Sequence, residues 1–470
     1  MKKVFLVTCC WMLVAGSYSQ TVSQRLQKAF QQFETDSQLK HAISSLYVID
    51  AKTGQVVFDK NSQVGLAGAS TQKIITAATA FELLGKEYKY KTELGYKGEL
   101  KNGIMNGSVF VSGKGDPTFG SWRWQSTDMQ KVLNDFGSAM KDLNIKEIFG
   151  NYISEIGKWE TTEIPDGWIW QDVGNYYGAG ALTFNWHENQ YDLFLKSGEK
   201  IGDSVQVAGT FPSISDNILS EARSAALGTG DNAYIYLPLG WDAIKVRGTI
   251  PIHETNFKIS GTLLNPHYIF LKALAHKLDS MGIHSYTGRR VDYEFKTVDK
   301  LINDSNVYKI YTHYSPSLDS IIYWFLKKSV NLYGEALIKT FAYEKQGFGS
   351  TDSGTAIVKK FWKEKGLDED ELNIYDGSGL SPLNRITTHA QVEILKYAKT
   401  KDWFPYFYDA LPEYNGMKMK SGTISDVKGF CGYHKAKDGK EYIFSFLVNN
   451  YNGKISGVVN KMYKVLDELK

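Results

Sequence analysis

The chain has 470 residues, of which 43% are hydrophobic, 14% aromatic and 22% charged, and its formal net charge is +3. This length is enough for two or three domains with a large buried core, and the composition is that of a globular protein rather than a disordered or collagen-like one. The small net charge argues against a nucleic-acid-binding protein, which would usually carry a basic excess.

The first nineteen residues have the pattern of a secretory signal. Lys2 and Lys3 form a short basic segment, and the apolar stretch 4–15 is too short to span a bilayer. Small residues at Ser17 and Ser19 predict cleavage after Ser19. The expected product is an exported protein of the periplasm or cell-wall space, without a transmembrane anchor after cleavage. The alternatives are a buried N-terminal segment and a lipoprotein anchor at Cys9 or Cys10, the latter disfavoured because almost no apolar run precedes Cys9.

The segment that follows predicts the start of an α/β domain. An amphipathic helix is predicted over 22–33, followed by a hairpin whose strands cover 44–50 and 55–59. After a run of small residues, apolar side chains at helical spacing follow Ser70 until Gly85 stops the pattern. Ser70 is therefore expected to open a helix.

The middle of the chain, 88–306, has a different character. It is rich in Gly, Tyr and Trp and contains short strand-like runs such as 108–111 and 234–237. One helix is predicted to begin at Pro266, with Asn265 as its cap. We interpret this region as inserted and mainly β-rich, with two nested domains.

The last part returns to alternating helices and strands. A helical period covers 319–344, a strand is predicted at 442–448, and an amphipathic helix over 455–469 closes the chain. The flanking segments 20–87 and 307–470 are expected to form one discontinuous α/β domain, with an antiparallel sheet flanked by helices.

The first chemically informative motif is Ser70-Thr71-Gln72-Lys73. A serine hydroxyl needs an adjacent base to act as a nucleophile near neutral pH. The spacing puts Ser70 and Lys73 on one helix face, with Ser70 at the N-terminus, where backbone N–H groups favour developing negative charge. Other Ser-x-x-Lys sequences begin at Ser37, Ser138, Ser197 and Ser425. Only Ser70 opens a strongly amphipathic helix after small residues.

A second motif, Ser329-Val330-Asn331, lies in the C-terminal segment. A hydroxyl and an amide two residues apart can pass a proton and hold a substrate carbonyl. The rival sequence 215–217, Ser-Asp-Asn, lies close to Pro212 in a stretch typical of a turn.

The third motif combines a cation, two hydroxyls and a glycine that lets backbone approach a substrate, a set that can grip a carboxylate. It consists of Lys420, Ser421, Gly422 and Thr423. A similar sequence at 52–54 is discounted because it precedes Ser70, and another at 196–198 is discounted because it lies in the inserted segment, before Ser329. The alternative for the third motif is an exposed turn.

In this order the three motifs form the triple signature of penicillin-binding enzymes. The chain resembles the class C low-molecular-mass penicillin-binding proteins, the D-alanyl-D-alanine carboxypeptidase/endopeptidases of penicillin-binding protein 4 type. The resemblance rests on segments 69–73, 113–118, 228–236, 329–337 and 376–381. It implies a penicillin-binding transpeptidase-like domain with inserted domains in the long gap between the first two motifs.

The resemblance also implies catalytic roles. Ser70 would be the acylated nucleophile, Lys73 its base, and Ser329 the proton relay to the leaving D-alanine. The backbone N–H groups of Ser70 and Thr423 would form the oxyanion hole.

Substrate-binding roles follow in the same way. Asn331 would bind the substrate amide, and Lys420 would provide a positive potential that also helps to keep Lys73 neutral. Within the third motif, Gly422 would let the substrate approach, and the hydroxyls of Ser421 and Thr423 would bind the terminal carboxylate. Serine at 421 departs from the usual threonine but keeps the hydroxyl.

Two further residues, Asp376 and Ser378, match an Asp-Gly-Ser-Gly stretch that we interpret as a loop supporting the wall of the active site. The nine histidines show no clustered metal-ligand spacing, so neither a metal nor another cofactor is expected.

The expected function is that of a peptidoglycan D-alanyl-D-alanine carboxypeptidase and/or endopeptidase that acts through a serine acyl-enzyme. Its partners would be stem peptides ending in D-Ala-D-Ala, with β-lactams as covalent inhibitors and no nucleic acid. The alternatives are a serine β-lactamase, for which no obvious deacylating base is found, and a non-catalytic cell-wall-binding protein of the same fold, against which the intact motifs argue.

Overall fold

The structure, a computed structural model, describes residues 20–155, 157–240, 242–286 and 307–470. The signal sequence predicted over 1–19 lies outside these residues. Within the described ranges, no helix has the length and apolar character needed to cross a membrane.

Helices occur in both the flanking and the inserted parts of the chain. In chain order they are α1 (Val22–Glu34), α2 (Lys73–Leu84), α3 (Met129–Asp142), α4 (Trp170–Val173), α5 (Pro266–Ser280), α6 (Leu318–Lys327), α7 (Asn331–Gln346), α8 (Thr351–Glu364), α9 (Thr388–Lys399), α10 (Phe404–Ala410) and α11 (Ile455–Leu466).

Strands alternate with these helices. The first six are β1 (Ile43–Asp50), β2 (Val56–Lys60), β3 (Lys91–Lys101), β4 (Ile104–Ser112), β5 (Glu147–Phe149) and β6 (Tyr152–Glu155). The next nine are β7 (Gln190–Lys196), β8 (Gln206–Phe211), β9 (Asn217–Ser220), β10 (Arg223–Ala225), β11 (Asn232–Tyr236), β12 (Ala243–Pro251), β13 (Phe257–Thr262), β14 (His284–Ser285) and β15 (Val307–Tyr314). The last six are β16 (Leu372–Asn373), β17 (Arg385–Ile386), β18 (Glu413–Tyr414), β19 (Met417–Ile424), β20 (Val427–Lys435) and β21 (Glu441–Asn449).

The two ends of the chain share one antiparallel sheet, as predicted. Its strand order is β18-β19-β20-β21-β1-β2, so β1 from the N-terminal segment pairs with β21 from the C-terminal one. One face packs apolar side chains against α1 and α11, for example Phe446 against Phe30 and Phe33. The opposite face packs on α9 and on residues 69–72, which directly precede α2. Helices therefore cover both faces.

Helix α2 runs through the centre of this domain. The sequence predicts a single apolar face, whereas every residue from Lys73 to Phe81 is buried, because α6, α7 and α9 pack around the helix. Polar side chains of α2 form hydrogen bonds within the protein; for example, Thr79 Oγ1 accepts from Trp362 Nε1 at 2.9 Å. The helix ends at Gly85, whose φ of +80° suits glycine.

The continuous helical period predicted over 319–344 is wrong at one point. The segment forms two helices, α6 and α7, and the break contains Ser329 in the left-handed region with φ +58°. Apolar side chains keep helical spacing on both sides of the break, so periodicity alone does not reveal it. The break positions Ser329 and Asn331 at the start of α7.

The described residues of the inserted region form three sheets. They are β14-β5-β4-β3-β15 with β6 beside β4, then β13-β7-β8, and finally β10-β12-β11 with β9 beside β12. One buried apolar cluster, which includes Val109, Leu193, Val246 and Phe270, runs through all of them. The last two sheets lie within the chain span of the first, which supports the predicted nesting of two domains. That division stays a prediction.

The domain formed by the two flanking segments, called the outer domain below, does not resume at residue 307 as predicted. Strand β15 pairs with β3 of the inserted region from Val307 to Tyr314. The outer domain resumes with α6, whose first backbone N–H groups bond to Lys86 O and Tyr88 O. The prediction was wrong here because pairing between strands about 200 residues apart leaves no local signal.

Candidate active site

Ser70 lies in a 3₁₀ turn, Ala69–Gln72, that leads directly into α2. Ala69 has a φ of +47°, an uncommon conformation for a residue with a side chain. Ser70 keeps partial exposure whereas Lys73 is fully buried. The turn therefore presents the hydroxyl to solvent and places the amine beneath it.

Three oxygen atoms surround the Lys73 amine. Lys73 Nζ lies 2.9 Å from Ser70 Oγ, 2.7 Å from Asn331 Oδ1 and 2.7 Å from the carbonyl oxygen of Ser378. The last two atoms can only accept. A neutral amine has two protons and one lone pair, so it can donate to both and direct its lone pair at the Ser70 hydroxyl.

The electrostatic environment favours this neutral form. Burial lowers the pKa of Lys73 well below its usual value, and the nearby Lys420 lowers that pKa further. Asp376 and Glu335 act in the opposite direction but do not reverse the shift. The shift favours the neutral amine, which is the form that can accept a proton.

Ser329 and Lys420 form a second pair at the same site. Lys420 Nζ lies 3.0 Å from Ser329 Oγ and 2.8 Å from the carbonyl oxygen of Ser421. Burial lowers the pKa of Lys420 to about 7. The positive potential expected of Lys420 therefore belongs to the form that is present below about pH 7.

Strand β19 lies directly against the turn that carries Ser70. A Cβ atom at Gly422 would lie 2.4 Å from Gly68 O and 2.9 Å from the backbone nitrogen of Ser70. Only glycine permits this approach. This approach places the backbone of Thr423 beside Ser70, as required if the N–H groups of both residues form the predicted oxyanion hole.

The Asp376–Ser378 segment supports the site from behind. The buried Asp376 carboxylate accepts hydrogen bonds from Gly379 N at 2.8 Å, Ser381 N at 2.6 Å and Trp168 Nε1 at 2.9 Å. This network shapes the loop so that the carbonyl oxygen of Ser378 reaches Lys73. Both residues thus lie where the sequence analysis predicted a supporting loop.

Every predicted site residue is brought together in one place, and the structure adds Trp168, Tyr177 and Lys428, which the sequence analysis does not predict. The carbonyl oxygen of Tyr177, in the inserted region, accepts from Asn331 Nδ2 at 2.7 Å. Lys428 donates to the hydroxyls of Ser421 and Thr423. The alternation of the β19–β20 hairpin could have revealed Lys428, since Thr423 and Lys428 are cross-strand partners.

These residues open into a groove of about 660 Å³ between the outer domain and the inserted region. Ser70, Ser329 and Thr423 line one side, and the inserted region contributes Asp172 and Tyr234 among others. In the part of the chain that the structure describes, no group of three or more His, Cys, Asp or Glu side chains could hold a metal ion.

An antiparallel sheet flanked by helices, with a lysine-paired serine between strand β19 and a Ser-x-Asn motif at the start of α7, defines a serine acyl-transfer enzyme of the penicillin-binding fold. The family model of the D-Ala-D-Ala carboxypeptidase 3 (S13) peptidases matches residues 26–413, and the chain belongs to this family. The predicted enzyme class, a serine-type D-Ala-D-Ala carboxypeptidase, is confirmed.

Two relatives are similar in sequence to this protein over most of its chain. A D-alanyl-D-alanine carboxypeptidase of Actinomadura sp. is 25% identical over 89% of this chain and 80% of its own length. D-alanyl-D-alanine carboxypeptidase DacB of Haemophilus influenzae is 22% identical over 85% and 83%.

Among solved structures, penicillin binding protein 4 of Haemophilus influenzae matches 94% of this chain and 98% of its own, with a TM-score of 0.77 and 18% identity. The structure of that protein in complex with a β-lactam matches this chain with a TM-score of 0.73. The predicted fold, a transpeptidase-like α/β domain with inserted β-rich domains, is confirmed.

Proposed function

We propose that this protein cleaves the terminal D-Ala-D-Ala bond of peptidoglycan stem peptides, D-alanyl cross-links, or both, through an acyl-enzyme on Ser70. The observation that carries the proposal is the position of Lys73 Nζ, 2.9 Å from Ser70 Oγ and held there by two acceptors. β-Lactams, whose strained amide resembles the scissile bond, would acylate the same hydroxyl.

In the acylation step, Ser70 Oγ attacks the carbonyl carbon and its proton passes to the neutral amine of Lys73. The carbonyl oxygen becomes an oxyanion and accepts from the backbone N–H groups of Ser70 and Thr423. The side-chain amide of Asn331 orients the substrate amide.

In the second half of the step, the carbon–nitrogen bond breaks and the leaving amine of D-alanine needs a proton. Ser329 delivers its hydroxyl proton and is resupplied from Lys73, while the cationic form of Lys420 keeps Ser329 Oγ in place. Water then hydrolyses the ester and restores Ser70.

The proposal includes the location of the enzyme. Its substrate lies outside the cytoplasmic membrane, and the first nineteen residues have the pattern of an export signal. Mature protein in the periplasm or cell-wall space would meet both substrate and antibiotic there.

The test of function is release of D-alanine from a synthetic stem pentapeptide and cleavage of a cross-linked dimer, both followed by chromatography. The wild-type enzyme is expected to process at least one of the two, and Ser70→Ala to lose at least about 1000-fold in rate, because the nucleophile is absent. Equal turnover by Ser70→Ala would contradict the proposal.

A further inference from the structure

A third buried lysine lies at the end of the site where the substrate carboxylate is expected. Lys428 on β20 is only 6% exposed, and its Nζ atom lies 2.6 Å from Ser421 Oγ and 2.9 Å from Thr423 Oγ1. The same atom lies 4.6 Å from the centre of the Phe430 ring. Its position is thus well defined by contacts on three sides.

The charge of Lys428 has no counter-ion among the described residues. Its hydrogen bonds go to hydroxyl groups, and burial lowers its pKa to about 8 with no carboxylate opposing that shift. A buried cation without an anionic partner is costly to a protein. Such a cation beside a substrate groove is suited to a ligand that brings the negative charge.

The hydrogen-bond directions point to the same ligand. An ammonium group only donates, so Ser421 Oγ and Thr423 Oγ1 both act as acceptors toward Lys428. Each hydroxyl therefore keeps its own proton for another acceptor. Thr423 is exposed and lines the groove, so that proton can be donated to a group bound there.

A carboxylate that accepts from both hydroxyls would lie within roughly 5 Å of Lys428 Nζ, given ordinary hydrogen-bond lengths. At this distance a partly buried cation attracts the carboxylate without touching it. Neutral groups of the same shape, such as a carboxamide, would gain none of this attraction.

We propose that Lys428 is a positioning residue that orients the hydroxyls of Ser421 and Thr423 and supplies the charge that selects a substrate with a free C-terminal carboxylate. This inference rests on the proposed function, since it concerns the same substrate. The two lysines then have different roles: Lys420 contacts Ser329, and Lys428 contacts the two hydroxyls that bind the carboxylate.

The experiment compares two acyl-D-alanyl thioesters whose leaving groups differ only in carrying a free carboxylate or a carboxamide. For Lys428→Gln, kcat/KM is expected to fall about 10- to 100-fold with the carboxylate and less than about threefold with the carboxamide, as for loss of a charge-assisted interaction. Lys428→Arg should keep most of the preference for the carboxylate.

Lys418→Gln is the matched control. Lys418 lies on the adjoining strand β19, but its Nζ bonds to Leu411 O and not to the two hydroxyls. Its replacement should leave the ratio of the two substrates unchanged.

An equal fall with both substrates, or no fall with the carboxylate, would overturn the role of Lys428. Lys428→Met is a second charge-free variant, and loss of folding in both would also count against the proposal, because an unpaired buried charge should be dispensable for stability. If wild-type enzyme forms no acyl-enzyme with either thioester, the proposed function itself fails, and that outcome is distinct from a lost preference.

Discussion

Replacing Lys73 by arginine is expected to lower the rate of Ser70 acylation by at least about 1000-fold, the scale of a lost general base. A guanidinium group stays protonated at any pH at which the protein is folded, so it cannot accept the Ser70 proton. The amine it replaces is fully buried and adjoins Ser70 Oγ, Asn331 Oδ1 and Ser378 O. Stopped-flow measurement with a fluorescent penicillin gives the rate directly.

Lys420→Arg is the matched variant for this measurement. Lys420 supplies positive charge near Ser329, and arginine at this position keeps that charge although the geometry changes. A partial loss of about 10- to 100-fold is expected, in the range for an altered charged hydrogen bond. If Lys73→Arg acylates as fast as Lys420→Arg in proteins that circular dichroism shows to be folded, Lys73 is not the base.

The pH dependence separates the two lysines further. Burial lowers the pKa of Lys420 to about 7, so its cationic form is present below that pH and is lost as pH rises through it. Acylation by the wild-type enzyme should therefore decline on the alkaline side. In Lys420→Arg the charge persists, and this decline should move to higher pH. An unchanged alkaline limb would argue that another group causes it.

Asp376→Ala is expected to lower the free energy of unfolding by about 3–5 kcal/mol, as when a buried charged network loses its central acceptor. Removal of the carboxylate leaves the donors Gly379 N, Ser381 N, Trp168 Nε1 and Asn384 Nδ2 without it. Urea unfolding measures the change.

Acylation should fall as well in Asp376→Ala, because the same loop carries the Ser378 carbonyl that holds Lys73. The exposed Asp370 provides a control, since its replacement by alanine should change stability by no more than about 0.5 kcal/mol. A loss below about 1 kcal/mol in Asp376→Ala would show that the network is not a major source of stability.

Local patterns in the sequence predict much of this fold and site. The helix after Ser70, its end at Gly85 and the closing strand and helix follow from apolar spacing and capping, because these signals act within a few residues. The three polar motifs are visible in the sequence, and the packing of α2 against α7 and of β19 against the turn before α2 brings them together.

What the sequence does not reveal depends on long-range contacts or on single backbone angles. The pairing of β15 with β3 joins strands far apart in the chain, and the left-handed φ of Ser329 divides a segment whose apolar spacing is continuous. Trp168 reaches Asp376 from the inserted region. Each of these contacts is set by tertiary packing and leaves no local pattern.

The role of Ser70 as the nucleophile is tested most directly by intact-protein mass spectrometry of the mature enzyme after exposure to benzylpenicillin, followed by peptide mapping. We expect one added penicillin per chain, attached to Ser70, and no adduct on Ser70→Ala. An adduct on any other residue, or an adduct that persists in Ser70→Ala, would contradict the assignment of Ser70 as the nucleophile.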